Sequence, residues 1–152
     1  MPPRLLGWDY GAPGAYFITI CTHRRRPVLG EIVGEHVSHT ALGALVQQAL
    51  GAMVREHAGL TVHAFAVMPD HVHAVFEYVT ARENRLAIDL VVRKFKGRVS
   101  HQAYDAELMT RQQPLWQRGF FDRVIRSEEE FEALVRYVET NPLRSAIRMR
   151  NP

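Results

Sequence analysis

Residues 60–79 read Leu60-Thr-Val-His-Ala-Phe-Ala-Val-Met-Pro-Asp-His-Val-His-Ala-Val-Phe-Glu-Tyr-Val79. β-Branched and aromatic residues dominate both halves, and Pro69-Asp70 supplies turn chemistry between them. The stretch predicts two strands, Leu60 to Met68 and His71 to Val79, joined as a hairpin. Alternate side chains of a strand share a face, so His71 and His73 point together while Val72 anchors the opposite layer. Two imidazoles at that spacing make a metal clamp, although a bare His-x-His is more often coincidence than a site.

Working outward, Tyr16 to Thr22 reads as a first strand that His23-Arg-Arg-Arg26-Pro27 ends, and Pro27 to Gly30 reads as a loop. From His39 to His57, Leu42, Leu45, Val46, Ala49 and Met53 recur at helical spacing, with Gly59 as a C-terminal stop. Downstream, Ile88, Val91, Val92, Phe95 and Val99 form an apolar stripe ringed by Arg85, Arg93, Lys94, Lys96 and Arg98, an amphipathic helix with a basic exterior. Trp116 to Ile125 reads as a fourth strand. Ser127-Glu-Glu-Glu130 is a capping box opening a last helix, which Pro142 should end at or near Asn141. The order predicts an α+β, ferredoxin-like (βαββαβ) antiparallel sheet with two helices on one face and an additional C-terminal helix.

The 152 residues, 47% of them hydrophobic, suit a single domain spanning 1–152. Apolar runs such as Ala15 to Cys21 are too short to cross a bilayer, and Met1-Pro-Pro-Arg4 opens no signal-peptide pattern, so a cytoplasmic protein without membrane contact is expected. Cys21 stands alone, which excludes an internal disulfide or a cysteine zinc cluster and predicts a buried thiol. The net charge is +3, and all but two of the 19 cations are arginine, the exceptions being Lys94 and Lys96. Guanidinium groups grip two phosphate oxygens at once, so a polyanionic partner fits as well as an ordinary basic surface does.

In the last helix, Phe131, Leu134, Val135 and Val138 make the buried stripe, and Tyr137 and Asn141 lie together on one flank, neither at a core position. Alone, they read as a core-margin tyrosine and a helix-ending asparagine. With the histidines they complete a site. A divalent ion held by His71, His73 and the side-chain oxygen of Asn141 would keep positions open for phosphate oxygens, with Tyr137 one turn away as nucleophile. A phenol has a pKa of about 10, so loss of its proton must be assisted.

Trp8-Asp-Tyr10, Tyr16-Phe-Ile-Thr-Ile-Cys-Thr22, Val67-Met-Pro-Asp-His-Val-His73, Phe95-Lys-Gly97, Trp116-Gln-Arg-Gly-Phe-Phe-Asp-Arg-Val-Ile-Arg126 and Tyr137-Val-Glu-Thr-Asn-Pro142 follow one another along the chain. In these motifs the sequence resembles the single-tyrosine HUH transposases, which include the insertion-sequence-200-like enzymes, and among them the REP-associated tyrosine transposases. The resemblance implies a nuclease and strand-transferase that cleaves single-stranded DNA beside a hairpin, such as a REP-like palindrome, leaving a 5′-phosphotyrosine and a free 3′-hydroxyl. It implies His71, His73 and Asn141 as metal ligands, Tyr137 as nucleophile, and magnesium or manganese as the ion. Imidazole nitrogens suit manganese at least as well as magnesium. Asp70 stands where the family often has Asn, and either adds charge near the metal or caps the turn. Relatives include dimers that share a tyrosine as well as monomers, so a homodimer is open.

Charge and position nominate Arg24, Arg25 and Arg26, Lys94, Lys96 and Arg98, and Arg118, Arg123 and Arg126 as DNA contacts, with solvated surface as the alternative for each cluster. Trp116 reads as a core residue or as a platform for an unpaired base. The competing functions are a nonenzymatic nucleic-acid-binding regulator on the same fold and an HUH replication initiator or relaxase. The latter would share the metal chemistry but usually brings larger or differently ordered domains.

Overall fold

The computed structural model describes residues 14–57, 59–78 and 88–150, with side chains up to residue 141. Trp8, Tyr10, Val79 and Arg85 lie outside the described residues. In chain order the elements are β1 (Gly14–Cys21), a 3-10 turn (His23–Arg25), β2 (Gly30–Val33), β3 (His36–His39), α1 (Ala41–Glu56), β4 (Leu60–Val67), β5 (His71–Tyr78), α2 (Ile88–Asp105), β6 (Phe121–Ile125) and α3 (Glu128–Arg150).

The four longer-range strands form one sheet in the order β4-β5-β1-β6, and every neighbouring pair is antiparallel. That is the expected ferredoxin-like order. Tyr16, Ile18 and Ile20 of β1 and Val72, Ala74 and Phe76 of β5 bury one face beneath α1 and α2. The opposite face, carrying Ala64, Ala66, Met68 and Val75, is covered by α3 through Phe131, Leu134, Val135 and Val138. Period-two strands thus feed two separate cores, which is why neither face of the sheet reads as polar.

Local chemistry fixes the helix starts. The Thr40 hydroxyl accepts from the Gly43 amide at 3.1 Å and donates to the Val28 carbonyl at 2.8 Å, capping α1 and tying it to the preceding loop. Gly43 is required there, because a Cβ at that position would lie 2.1 Å from the Leu29 carbonyl oxygen. At α3 the Ser127 hydroxyl accepts from the Glu130 amide at 3.1 Å, as a capping box needs.

Three elements differ from the sequence expectation. Residues 30–39 form a hairpin, β2 with β3, where only a loop was expected at its start; Gly34, with φ +61°, makes the turn, and Ile32 and Val37 pack into the α3 core. The fourth strand begins at Phe121 rather than Trp116, because Gly119 at φ +76° turns the chain, leaving Trp116 in an isolated bridge to Thr22. Finally, α3 does not end near Asn141 but continues to Arg150. A proline inside a helix removes one amide bond and kinks or breaks the helix; here the helical backbone continues past Pro142. Leu143 to Arg150 contains no glycine or further proline to stop the helix on its far side.

Candidate active site

Cys21 stands opposite His71 and Thr19 opposite His73 in the β1–β5 register, so both imidazoles project on the α3 side while Val72 enters the other core. Their ring centroids are 4.8 Å apart and nearly perpendicular. Val138, fully buried, sets α3 against this face, and that seating brings the Tyr137 ring to 5.5 Å from His73. Phe17, two residues before Thr19, packs against both rings, at 5.8 Å from His73 and 6.1 Å from Tyr137. Asn141, one turn beyond Tyr137, is only 7% exposed. It is therefore more deeply placed than the helical spacing alone indicates, because α3 sinks between the β2–β3 hairpin and the sheet.

Burial dominates the electrostatics. His73 is 3% exposed, and desolvation, reinforced by the neighbouring His71, pulls its pKa down to about 4, with the Asn141 side chain opposing weakly. Burial also lowers His71, against the pull of Asp70. Both rings are thus neutral at neutral pH, with a lone pair to offer.

Asp70 determines which lone pair. Burial alone would raise its carboxyl, but hydrogen bonds from His71 and Arg25 outweigh that and hold it below the ordinary range. An ionised carboxylate can only accept, so the 2.7 Å contact between His71 Nδ1 and Asp70 Oδ1 requires the proton on Nδ1 and leaves the lone pair on Nε2. Arg25 Nη2 also lies 3.5 Å from Nδ1, but a protonated Nδ1 cannot accept, so the shorter contact wins. Arg25 Nε instead donates to the other Asp70 oxygen at 3.0 Å. Of the two sequence readings of Asp70, this pairing favours the one that sets its charge beside the histidines.

Among the described residues, two buried atoms on this face make no hydrogen bond of normal geometry: His73 Nε2 and Asn141 Oδ1. An amide oxygen only accepts, and a neutral imidazole nitrogen can do so; a cation would satisfy both. Among the described residues no cluster of three or more His, Cys, Asp or Glu side chains can hold a metal, so a metal here needs the Asn141 amide as its third donor. The donor set fits a divalent ion, with two neutral nitrogens and one neutral oxygen.

The cationic candidates divide. Arg24 and Arg25 form the turn after β1, both at φ +55°, a left-handed backbone that costs about 1 kcal/mol per residue. The Thr22 hydroxyl braces this turn at the carbonyls of Arg26 (2.8 Å) and Asp70 (3.0 Å), aiming Arg25 across the site. Arg24, Arg26, Lys94, Arg118 and Arg126 are exposed. Three others have protein partners. Lys96 donates to the carbonyls of Gln117 and Gly119, Arg98 grips Glu56 with two bonds, and Arg123 pairs with Glu130. Trp116 is 7% exposed and packs against Phe95. Cys21 is buried, as expected of an unpaired thiol. No helix among the described residues is long and apolar enough to cross a membrane.

Over residues 14–141 the sequence matches the family described as Transposase IS200 like. An uncharacterized protein of Haemophilus influenzae is 24% identical over 159 residues, spanning 92% of this chain and 86% of that protein. Among solved structures, a REP-associated tyrosine transposase bound to a REP hairpin superposes with a TM-score of 0.67 at 20% identity, over 95% of this chain and 74% of the other. A crystal structure of a Deinococcus radiodurans protein gives a TM-score of 0.51 at 21% identity, over 91% and 96% of the two chains. At such identities the two structural likenesses speak for the fold.

Proposed function

The chain belongs to the IS200-like transposase family, and from that premise we propose that it cuts and rejoins single-stranded DNA beside a hairpin, with Tyr137 as nucleophile. The observation that carries this reading is the Tyr137 ring 5.5 Å from His73, on the same helix and one turn from the buried, unpartnered Asn141 oxygen.

In the step envisaged, the Tyr137 oxygen forms a bond to phosphorus and loses its proton, while the bond from phosphorus to the 3′ oxygen breaks and the 3′-hydroxyl departs with a proton. The phenol's ordinary pKa of about 10 makes proton loss part of the attack rather than a prior event. The resulting ester matches the original phosphodiester in energy, so a free 3′-hydroxyl reverses the step without ATP. A divalent ion, magnesium or manganese, held by His71, His73 and Asn141, would supply Lewis-acid polarisation of the phosphate. Phe17 keeps water from the inner side of the Tyr137 and His73 rings, and Asp70 holds His71 in the tautomer whose Nε2 can bind. The tyrosine stands beside histidines of its own chain.

Hairpin DNA as partner follows from the family and from the REP hairpin on the structurally similar transposase. The test uses a stem-loop oligonucleotide with single-stranded flanks, taken from DNA beside the gene, and manganese or magnesium. Wild-type protein should yield a covalent protein–DNA adduct on a denaturing gel. Tyr137→Phe should bind the oligonucleotide and give none; an undiminished adduct in that variant would place the nucleophile elsewhere.

A further inference from the structure

On the face of the sheet away from Tyr137, a concavity of about 770 Å³ opens between α2 and residues 115–120, lined by Asp89, Arg93, Lys96, Trp116, Arg118 and Phe120 among others. Its size suits one small ligand rather than a DNA stem. Three cations and one carboxylate line it, and among the described residues neither Arg93 nor Arg118 is ion-paired. Lys96 commits two of its three ammonium protons to the carbonyls of Gln117 and Gly119, which fixes the wall.

Trp116 adds an independent observation. It lines the concavity, it is 7% exposed, and its indole Nε1–H is buried without an acceptor. An indole nitrogen only donates, and a buried unmade bond costs about 1–3 kcal/mol. The wall therefore sets two guanidinium groups, neither ion-paired among the described residues, beside the Trp116 and Phe120 rings, which is the chemistry that holds an unpaired nucleotide: cations for its phosphate and rings for its base.

The position also fits. Trp116 bridges Thr22, and the Gln117 amide donates to the Cys21 carbonyl at 2.9 Å. Cys21 is the register partner of His71. The concavity is thus anchored at the same end of the sheet as the histidine pair, and the basic turn at Arg24–Arg26 follows directly on Cys21 and Thr22 there. A strand leaving the Tyr137 site can round the end of the sheet over that turn.

We infer that this concavity holds one unpaired nucleotide of the DNA strand engaged at the Tyr137 site, its base against Trp116 and Phe120 and its phosphate against Arg93 and Arg118. The inference rests on the single-stranded DNA reading above. It assigns the Trp116 pocket a specificity role, reading one base at a fixed position from the cut.

The test is an NMR titration of the full chain that follows the Trp116 indole N–H, distinguished from that of Trp8 by comparison with Trp8→Phe. The probes are the four deoxynucleoside 5′-monophosphates and, separately, inorganic phosphate. At least one nucleotide should shift the Trp116 indole saturably, and phosphate should leave it unmoved. Arg118→Ala, a change at an exposed side chain, should weaken that nucleotide about tenfold, as expected for loss of a charge-assisted bond. An indole unmoved by all four nucleotides, a phosphate shift equal to the nucleotide shift, or an Arg118→Ala affinity equal to wild type would overturn the assignment. The adduct assay reports separately. An adduct with an unmoved indole removes the pocket alone, and a shifted indole without any adduct removes the nuclease reading while the nucleotide site stands.

Discussion

Acid should unfold the metal-free protein through His73. Its pKa is about 4 in the fold against 6.5 for the free side chain. Between those values the unfolded chain holds a proton at this position that the folded chain refuses. Stability therefore falls as pH drops from about 6.5 towards 4 and is fully present above that window. A gap of some two and a half pKa units corresponds to roughly 3 kcal/mol at about 1.4 kcal/mol per unit. That is a large share of the roughly 5–15 kcal/mol that holds a domain together. His71 is shifted in the same direction and adds to the loss, whereas Asp70, held below its ordinary range, matters only at lower pH still. The assay is urea unfolding in the presence of a chelator, at pH steps from neutral to about 4, for wild type and His73→Gln. The variant cannot titrate there, so the stability difference between the two proteins should move by roughly 3 kcal/mol across the window in the variant's favour. Parallel curves would refute the burial argument for His73 and, with it, the neutral buried ligand.

Other outcomes follow from the same geometry. Asp70→Ala frees His71 to adopt the wrong tautomer and should weaken manganese binding about 10–100-fold by calorimetry; unchanged affinity would mean that the 2.7 Å contact does not orient the ring. Gly43→Ala places a methyl against the Leu29 carbonyl and should cost about 1–3 kcal/mol in urea unfolding; a variant as stable as wild type would show that α1 can shift freely there. Cleavage should require unpaired DNA, because a flexible strand bends into line with Tyr137 more easily than a stacked duplex; equal cleavage of a hairpin with flanks, a perfect duplex and a scrambled strand would refute hairpin guidance. Binding should weaken with salt at a log-log slope of about −0.7 per neutralised phosphate, and slopes near zero would exclude the arginine contacts.

What could be read from sequence was whatever repeats locally. The hairpin at residues 60–79, the three helices and the paired placement of His71 with His73 and Tyr137 with Asn141 all rest on periods of two and of about four residues. The β2–β3 hairpin escaped because its strands are four residues each, too short for alternation to stand out. Arg25 reaches Asp70 across 45 positions, and Lys96 reaches Gln117 and Gly119 across 21 and 23, so no local pattern announces either pairing. Charge counting nominated Lys96 for DNA or for solvated surface, and the fold in addition gives it the carbonyls of Gln117 and Gly119 to hold. Asn141 was placed on a flank because a helical wheel knows one helix, whereas its burial depends on two other elements meeting it.

Tyr137 and Asn141 are carried by the same helix, about 6 Å apart along its axis, and the buried Val138 between them holds that stretch to the sheet. They move as one rigid body. The phenol cannot withdraw from His73 with the amide left in place unless the helix unwinds between them, so the two roles proposed for them would share a single switch. A lift or slide of α3 carries both away at once, and whatever draws the Asn141 oxygen towards the histidines also presses the Tyr137 ring towards His73. On the proposed reading there is then no half-armed state, with an ion gripped while the phenol wanders, short of unwinding the turn of α3 that joins the two residues.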